Sequence, residues 1–151
     1  MGSTICVMGR LVAALLLAAV CVAGNAEGVN LPEAANGLIA KGDAQWSAGN
    51  AEQAQKMFEQ AVKLDSRSER ARMKLAGCEL ARNDFKGSIE AYHQAIGLDA
   101  KNALAWIGLG ISYMHAGSND LSLAAFGEAV RIDPGRKEQL AVVMAKLAVS
   151  E

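Results

Sequence analysis

Proline is almost missing from this chain: Pro32 and Pro134 are the only two in 151 residues. Proline inside a helix removes a backbone donor and clashes with the preceding turn, so long helical stretches face few interruptions here. Aromatic residues are also sparse, at 5%, and Trp46 and Trp106 are expected to pack rather than to offer stacking platforms for bases. Cysteine numbers three, of which Cys6 and Cys21 lie in the N-terminal apolar region. Beyond that region only Cys78 is left, which excludes an internal disulfide and reads as a small buried hydrophobe. His93 and His115 stand at no metal-ligand spacing with each other or with cysteine, so no metal and no cofactor is expected. An excess of charge is lacking too. The formal balance is −1, and Lys and Arg are spread along the chain rather than clustered, which argues against a nucleic-acid partner. Nowhere does hydrophobicity alternate every second residue, the mark of a strand. What is abundant is apolar residues, 52% with alanine dominant, and alanine enters a helix with no side-chain entropy loss. The composition points to an all-α domain.

Residues 11–23, LVAALLLAAVCVA, form the one long apolar run, preceded by Arg10 and followed by Gly24-Asn25-Ala26-Glu27. A positive charge, a short apolar core and small residues two apart before a cut describe a secretory signal segment. We expect residues 1–26 to be removed and the chain exported, periplasmic or secreted, with a short lead over 27–34. The run is shorter than the roughly 20 residues of a spanning helix, so an uncleaved anchor is the second reading. Lipidation at Cys21 meets Val20 where a small residue belongs, and myristoylation at Gly2 meets Cys6 in place of Ser or Thr. A membrane is therefore expected only through an uncleaved or lipidated N-terminus.

Shifting the sequence against itself by 34 residues aligns three consecutive units, 35–68, 69–102 and 103–136, without a gap. The third holds Trp106, Leu109-Gly110, Tyr113, Gly117, Phe126, Ala129 and Pro134; the phrases KMFEQAVKLD, EAYHQAIGLD and AAFGEAVRID recur in register. Small residues return where two helices would cross: Gly42 and Ala61, Ala76 and Ala95, Gly110 and Ala129. Phe58, Tyr92 and Phe126 precede those alanines by three residues and so share their helix face. Turn and capping residues at Gly49-Asn50, Asn83-Asp84 and Gly117-Ser118-Asn119-Asp120 separate the paired helices. The pattern predicts helices at 35–48, 51–64, 69–82, 85–98, 103–116, 120–132 and 136–149. This spacing of Trp, Leu-Gly, Tyr, Ala, aromatic, Ala and Pro resembles the tetratricopeptide repeat, with departures at Lys41, Gln45 and Glu79, and with Ser88 and Ser122 for alanine. The resemblance implies a right-handed α-solenoid of three helix–turn–helix units, and residues 137–151 would form a capping helix.

Catalytic chemistry finds no foothold. Asp65, Asp99 and Asp133 recur because the repeat recurs, and Gly108-Leu109-Gly110 has no preceding strand to make a phosphate loop. No enzyme is expected. The resemblance implies instead that the first helix of each unit lines a concave groove for another protein. Its groove places carry Ile39 in the first unit; Arg70, Met73, Lys74 and Leu80 in the second; and Leu104, Ile107, Ile111, Met114 and His115 in the third. The subtype that grips a terminal carboxylate needs Lys and Asn where this chain has Ile39 and Asp43, and is excluded. An apolar groove with a basic edge at Arg70 and Lys74 implies a peptide or amphipathic helix as partner. The closing helix, with Ala141, Val142, Ala145, Ala148 and Val149 outside its core stripe, implies a homo-oligomer as the alternative. His93 is expected on the outer face with no role.

Overall fold

The structure, a computed structural model, describes residues 30–149; the leader expected over residues 1–26 lies outside them. Among the described residues seven helices follow one another: α1 Leu31–Ser47, α2 Ala51–Leu64, α3 Glu69–Ala81, α4 Phe85–Leu98, α5 Ala103–His115, α6 Asn119–Ile132 and α7 Lys137–Val149, with a 3₁₀ turn at Pro134–Arg136 before the last. The described residues contain no strand. Most helix ends fall within a residue of the expected ones. The exception is α1, which starts at Leu31, four residues before the repeat itself. Pro32 does not delay it, since the first-turn amides of a helix have no intrahelical acceptor to lose.

Each pair is closed by a tight turn that needs a left-handed residue. Gly49 (φ +82°), Asn83 (φ +63°) and Gly117 (φ +76°) take those places, where only glycine or asparagine sits without strain. Side-chain caps then start the next helices: Ser68 accepts from the Ala71 amide, Asp84 from Gly87, and Asn102 from Leu104 and Ala105. The recurring aspartates have a structural task at the joints between units. Asp65, Asp99 and Asp133 each end a helix and accept a hydrogen bond from the amide two residues on, at Arg67 (3.0 Å), Lys101 (2.9 Å) and Gly135 (3.1 Å).

The paired helices α1/α2, α3/α4 and α5/α6 pack on each other; between units α2 meets α3 and α4 meets α5, while α7 lies on α6. Successive first helices, α1 with α3 and α3 with α5, also bring their backbones together, whereas the second helices do not. The stack therefore curves with its first helices on the inner side. This is an α-solenoid of three repeats with a closing helix.

Small residues set the spacing as expected, and the structure shows what they accommodate. A Cβ on Gly42 would lie 2.5 Å from the Phe58 ring, and one on Gly110 would lie 2.6 Å from the Phe126 ring. Ala61, Ala95 and Ala129 are wholly buried beside them. The serines that stand in for alanine are also wholly buried. Their hydroxyls are satisfied: Ser88 and Ser112 bond each other at 2.8 Å, and Ser112 and Ser122 donate to the carbonyls of Gly108 and Gly110, which removes the cost of burying them. No helix among the described residues is long and apolar enough to cross a membrane.

Candidate functional site

On the inner side, α1 and α3 leave a hollow of about 170 Å³ between them, lined by Asp43, Trp46, Phe58, Met73, Lys74, Gly77 and Cys78. It exists because one face of α3 runs Met73, Gly77, with no side chain at 77 to fill the gap. Phe58 and Cys78 are buried at the floor, and Trp46 stands 42% exposed at the edge. Burial, then the neighbouring Glu79 charge, pushes the Cys78 thiol up to about 11, so the floor is neutral at ordinary pH. The rim is ionic. Lys74 Nζ lies 2.7 Å from Asp43 Oδ1, and the Arg70 guanidinium approaches Asp43 Oδ2 at 3.6 Å. Two cations thus face one carboxylate, and both cationic side chains are well exposed.

Arg70, Met73 and Lys74 therefore come together as a groove segment. Ile39 does not join them; it is wholly buried. The cause is in α1 itself. Lys41 and Gln45 replace the apolar residues of the repeat pattern, so the buried stripe of α1 shifts to Ala35, Ile39 and Gly42. Ile39 then enters the core cluster with Phe58, Ala71 and Cys78.

In the third unit the expected stripe is divided. Ile107, Ile111 and Met114 are half-buried and pack on the cluster of Phe126, Ala129, Leu140 and Leu147, to which the closing helix contributes Leu140 and Leu147. Leu104 stays 50% exposed and Leu80 is half-buried. His115 is exposed but stacks on Phe85, at the start of α4, with ring centroids 5.6 Å apart. His93 is exposed, as expected, but it is not without a partner. Its Nε2 shares a 2.9 Å hydrogen bond with the Tyr113 hydroxyl, linking α4 to α5. Trp106 packs as expected, and its indole N–H donates to the Ala100 carbonyl at 3.0 Å.

Sequence reasoning missed Glu79, noting only that it replaces a tyrosine. Its Oε2 is buried without a hydrogen-bond partner. Burial first, then the charges of Asp84, Glu59 and Glu90, raises its carboxyl to about 7. The signal was available: His93, the partner of Tyr113, has Glu59 as its counterpart one repeat earlier, so a carboxylate at 79 meets another carboxylate. Among the described residues no group of three His, Cys, Asp or Glu is arranged to hold a metal.

The tetratricopeptide repeat family model matches residues 39–103 and 79–137. Among solved structures, the Arabidopsis OM64 TPR domain is similar, with a TM-score of 0.76 and 20% identity over 81% of this chain and all of that one. The first TPR of Spaghetti (RPAP3) bound to an HSP90 peptide gives a TM-score of 0.74 at 14% identity, over 78% of this chain and 92% of that one. The Yersinia enterocolitica type III secretion chaperone SycD, in complex with a peptide of the translocator YopD, gives 0.68 at 17% identity, over 76% and 89%. No curated protein matches the chain.

Proposed function

Because this chain belongs to the tetratricopeptide repeat family, we propose that it is a non-catalytic protein-binding scaffold that holds a peptide or amphipathic helix of another protein along its inner face. The observation that carries this reading is the open hollow between α1 and α3, an apolar floor with a charged rim on the side where the first helices converge. Such a site suits a few anchoring side chains rather than a reacting group. Two of the similar structures hold peptides of other proteins, from HSP90 and from a translocator. The fold likeness supports the mode of use, and the partner must be sought for this chain itself. A photo-crosslinking residue placed at Trp46 on the inner side, and another at the exposed Gln53 on α2, tests it in the native host. Capture of one defined protein from position 46 and not from position 53 is the expected result. Equal capture from both positions would remove the inner face from the reading.

The leader adds a location to the proposal: a removable segment over residues 1–26 would deliver the scaffold to the cell envelope, periplasmic or secreted. N-terminal sequencing of the native protein is expected to begin near Glu27. Recovery of residues 1–23 in a membrane fraction would replace export with an anchor.

A second reading rests on α7. Val142 is 68% and Val149 85% exposed, and with Ala145 they form a shallow apolar surface. The alternative is a homo-oligomer in which that surface meets a second copy. Mass that rises with concentration would favour it, and loss of that rise on Val142→Asp would assign it to α7.

A further inference from the structure

We infer that the hollow between α1 and α3 is a selective anchor site, and that it takes one large apolar side chain whose neighbour in the ligand is an aspartate or glutamate. This rests on the scaffold reading above and specifies the partner's chemistry. Size comes first. A hydrocarbon-lined void of about 150 Å³ holds a benzene molecule, so about 170 Å³ fits a phenylalanine, leucine or methionine side chain. The floor offers Phe58 and Met73 for dispersion contact, and the wall offers the exposed indole of Trp46. The Cys78 thiol contributes no charge.

Charge decides the neighbour. Asp43 holds Lys74 in a close pair at 2.7 Å, while Arg70 reaches the same carboxylate only at 3.6 Å. The rim therefore keeps one net positive charge. The loosely held guanidinium has donors left for an incoming carboxylate, which it can grip with paired, charge-assisted hydrogen bonds. Asp43 works in the opposite sense against a cationic ligand, which would have to displace Lys74. Nothing else ionisable stands at the expected groove positions except the distant His115, stacked on Phe85. An internal acidic residue satisfies this rim; a chain terminus is not required.

Gly77 is the gate of the site. A Cβ there would meet only the Tyr92 hydroxyl, 3.9 Å away, so the backbone does not need a glycine. A longer side chain at 77 would grow into the hollow and fill it. That makes Gly77→Leu a blocking variant, and Gln53→Leu, on the exposed face of α2, its control.

Random twelve-residue peptides displayed with their carboxyl ends fused, so that no terminal carboxylate is free, provide the probe. Enriched sequences, resynthesised with both ends capped, are measured against the purified chain and its variants by fluorescence anisotropy. The expected winners carry Phe, Leu or Met beside Asp or Glu. Their affinity should fall about tenfold or more in Gly77→Leu and in Arg70→Glu with Lys74→Glu, consistent with loss of charge-assisted contacts. It should hold in Gln53→Leu, and fall severalfold from about 0.1 M to about 1 M NaCl as the Debye length shrinks from about 10 to about 3 Å. Apolar winners without acids, blocked by Gly77→Leu but indifferent to the charge reversal, would overturn this inference and leave the scaffold reading standing. Winners indifferent to Gly77→Leu would move binding out of the hollow and overturn it as well. A capped peptide of residues 137–149 that displaced the winners would make a second copy the occupant, with the same result. No enrichment at all would overturn both readings.

Discussion

Replacing Glu79 by glutamine should stabilise the protein, and the gain should grow with pH. One oxygen of the Glu79 carboxyl is buried without a partner, and Arg82, four positions along from Cys78 at the end of α3, is engaged by the side chain of Gln55. Burial and the charges of Asp84, Glu59 and Glu90 lift the group from 4.5 to about 7. A raised pKa means that the folded chain binds the proton more tightly than the unfolded chain. Below about pH 4.5 both states are protonated and the group costs nothing. As pH climbs toward 7 the unfolded state ionises first and gains on the folded one; above 7 the penalty is complete. The rise from 4.5 to about 7 sets a ceiling of a few kcal/mol. Because the side chain is only half-buried, water reduces that to about 1–2 kcal/mol. For a domain of this size such a change moves the melting temperature by about 4–10 °C. Thermal melts followed by far-UV circular dichroism at about pH 5 and about pH 8 give the comparison. The wild type should lose stability relative to Glu79→Gln over that interval. Equal gaps between the two proteins at both pH values would refute the argument.

Further outcomes follow from the packing. Gly110→Ala should destabilise by about 1–3 kcal/mol, because the new Cβ would lie 2.6 Å from Phe126, whereas Gly77→Ala should stabilise by about 0.5–1 kcal/mol; denaturant midpoints compare them. Ala95→Leu overpacks a wholly buried site and should cost about 1–3 kcal/mol. His93→Ala, which loses one exposed hydrogen bond to Tyr113, should cost about 0.5–1 kcal/mol, and equal melting temperatures would contradict the repeat register. Ile107→Asp with Ile111→Asp should lower the melting temperature, since both half-buried side chains pack against the cluster of Phe126, Ala129, Leu140 and Leu147; an unchanged melt would return them to the open groove.

The fold was legible because its constraints are local and repeated. Gly42, Gly110 and the alanines at 61, 95 and 129 are small for one reason each time, the closeness of an aromatic ring or a crossing helix, and a 34-residue period exposes such a reason three times over. The candidate site was legible only where each first helix keeps the common rotation. Met73 and Lys74 lie where the register places them. Ile39 does not, because Lys41 and Gln45 cannot enter the core and the buried stripe of α1 shifts to another set of positions. A position number transferred between units cannot register that shift. In the third unit Ile107 and Ile111 have the spacing of an open stripe, but spacing along one helix does not reveal that both also pack against the cluster of Phe126, Ala129, Leu140 and Leu147. The carboxylate meeting at Glu79 required comparing the cross-repeat partners of positions 79 and 113, a long-range relation that no single helix carries.

The hollow has two owners. Asp43, Trp46 and Phe58 belong to the first unit, and Met73, Lys74, Gly77 and Cys78 to the second. Each unit touches only its neighbours along the chain, so parting the first from the second abolishes the hollow while the remaining joints stay closed. Anything seated there acts as a rivet through that one joint. At about a hundred times its dissociation constant an occupant adds about 2.7 kcal/mol against opening. That gain falls on the joint it spans and fades along the array, as nearest-neighbour coupling requires. Amide exchange in α1 and α2 should therefore slow sharply on binding, while α6 and α7 at the far end keep nearly the rates of the empty protein.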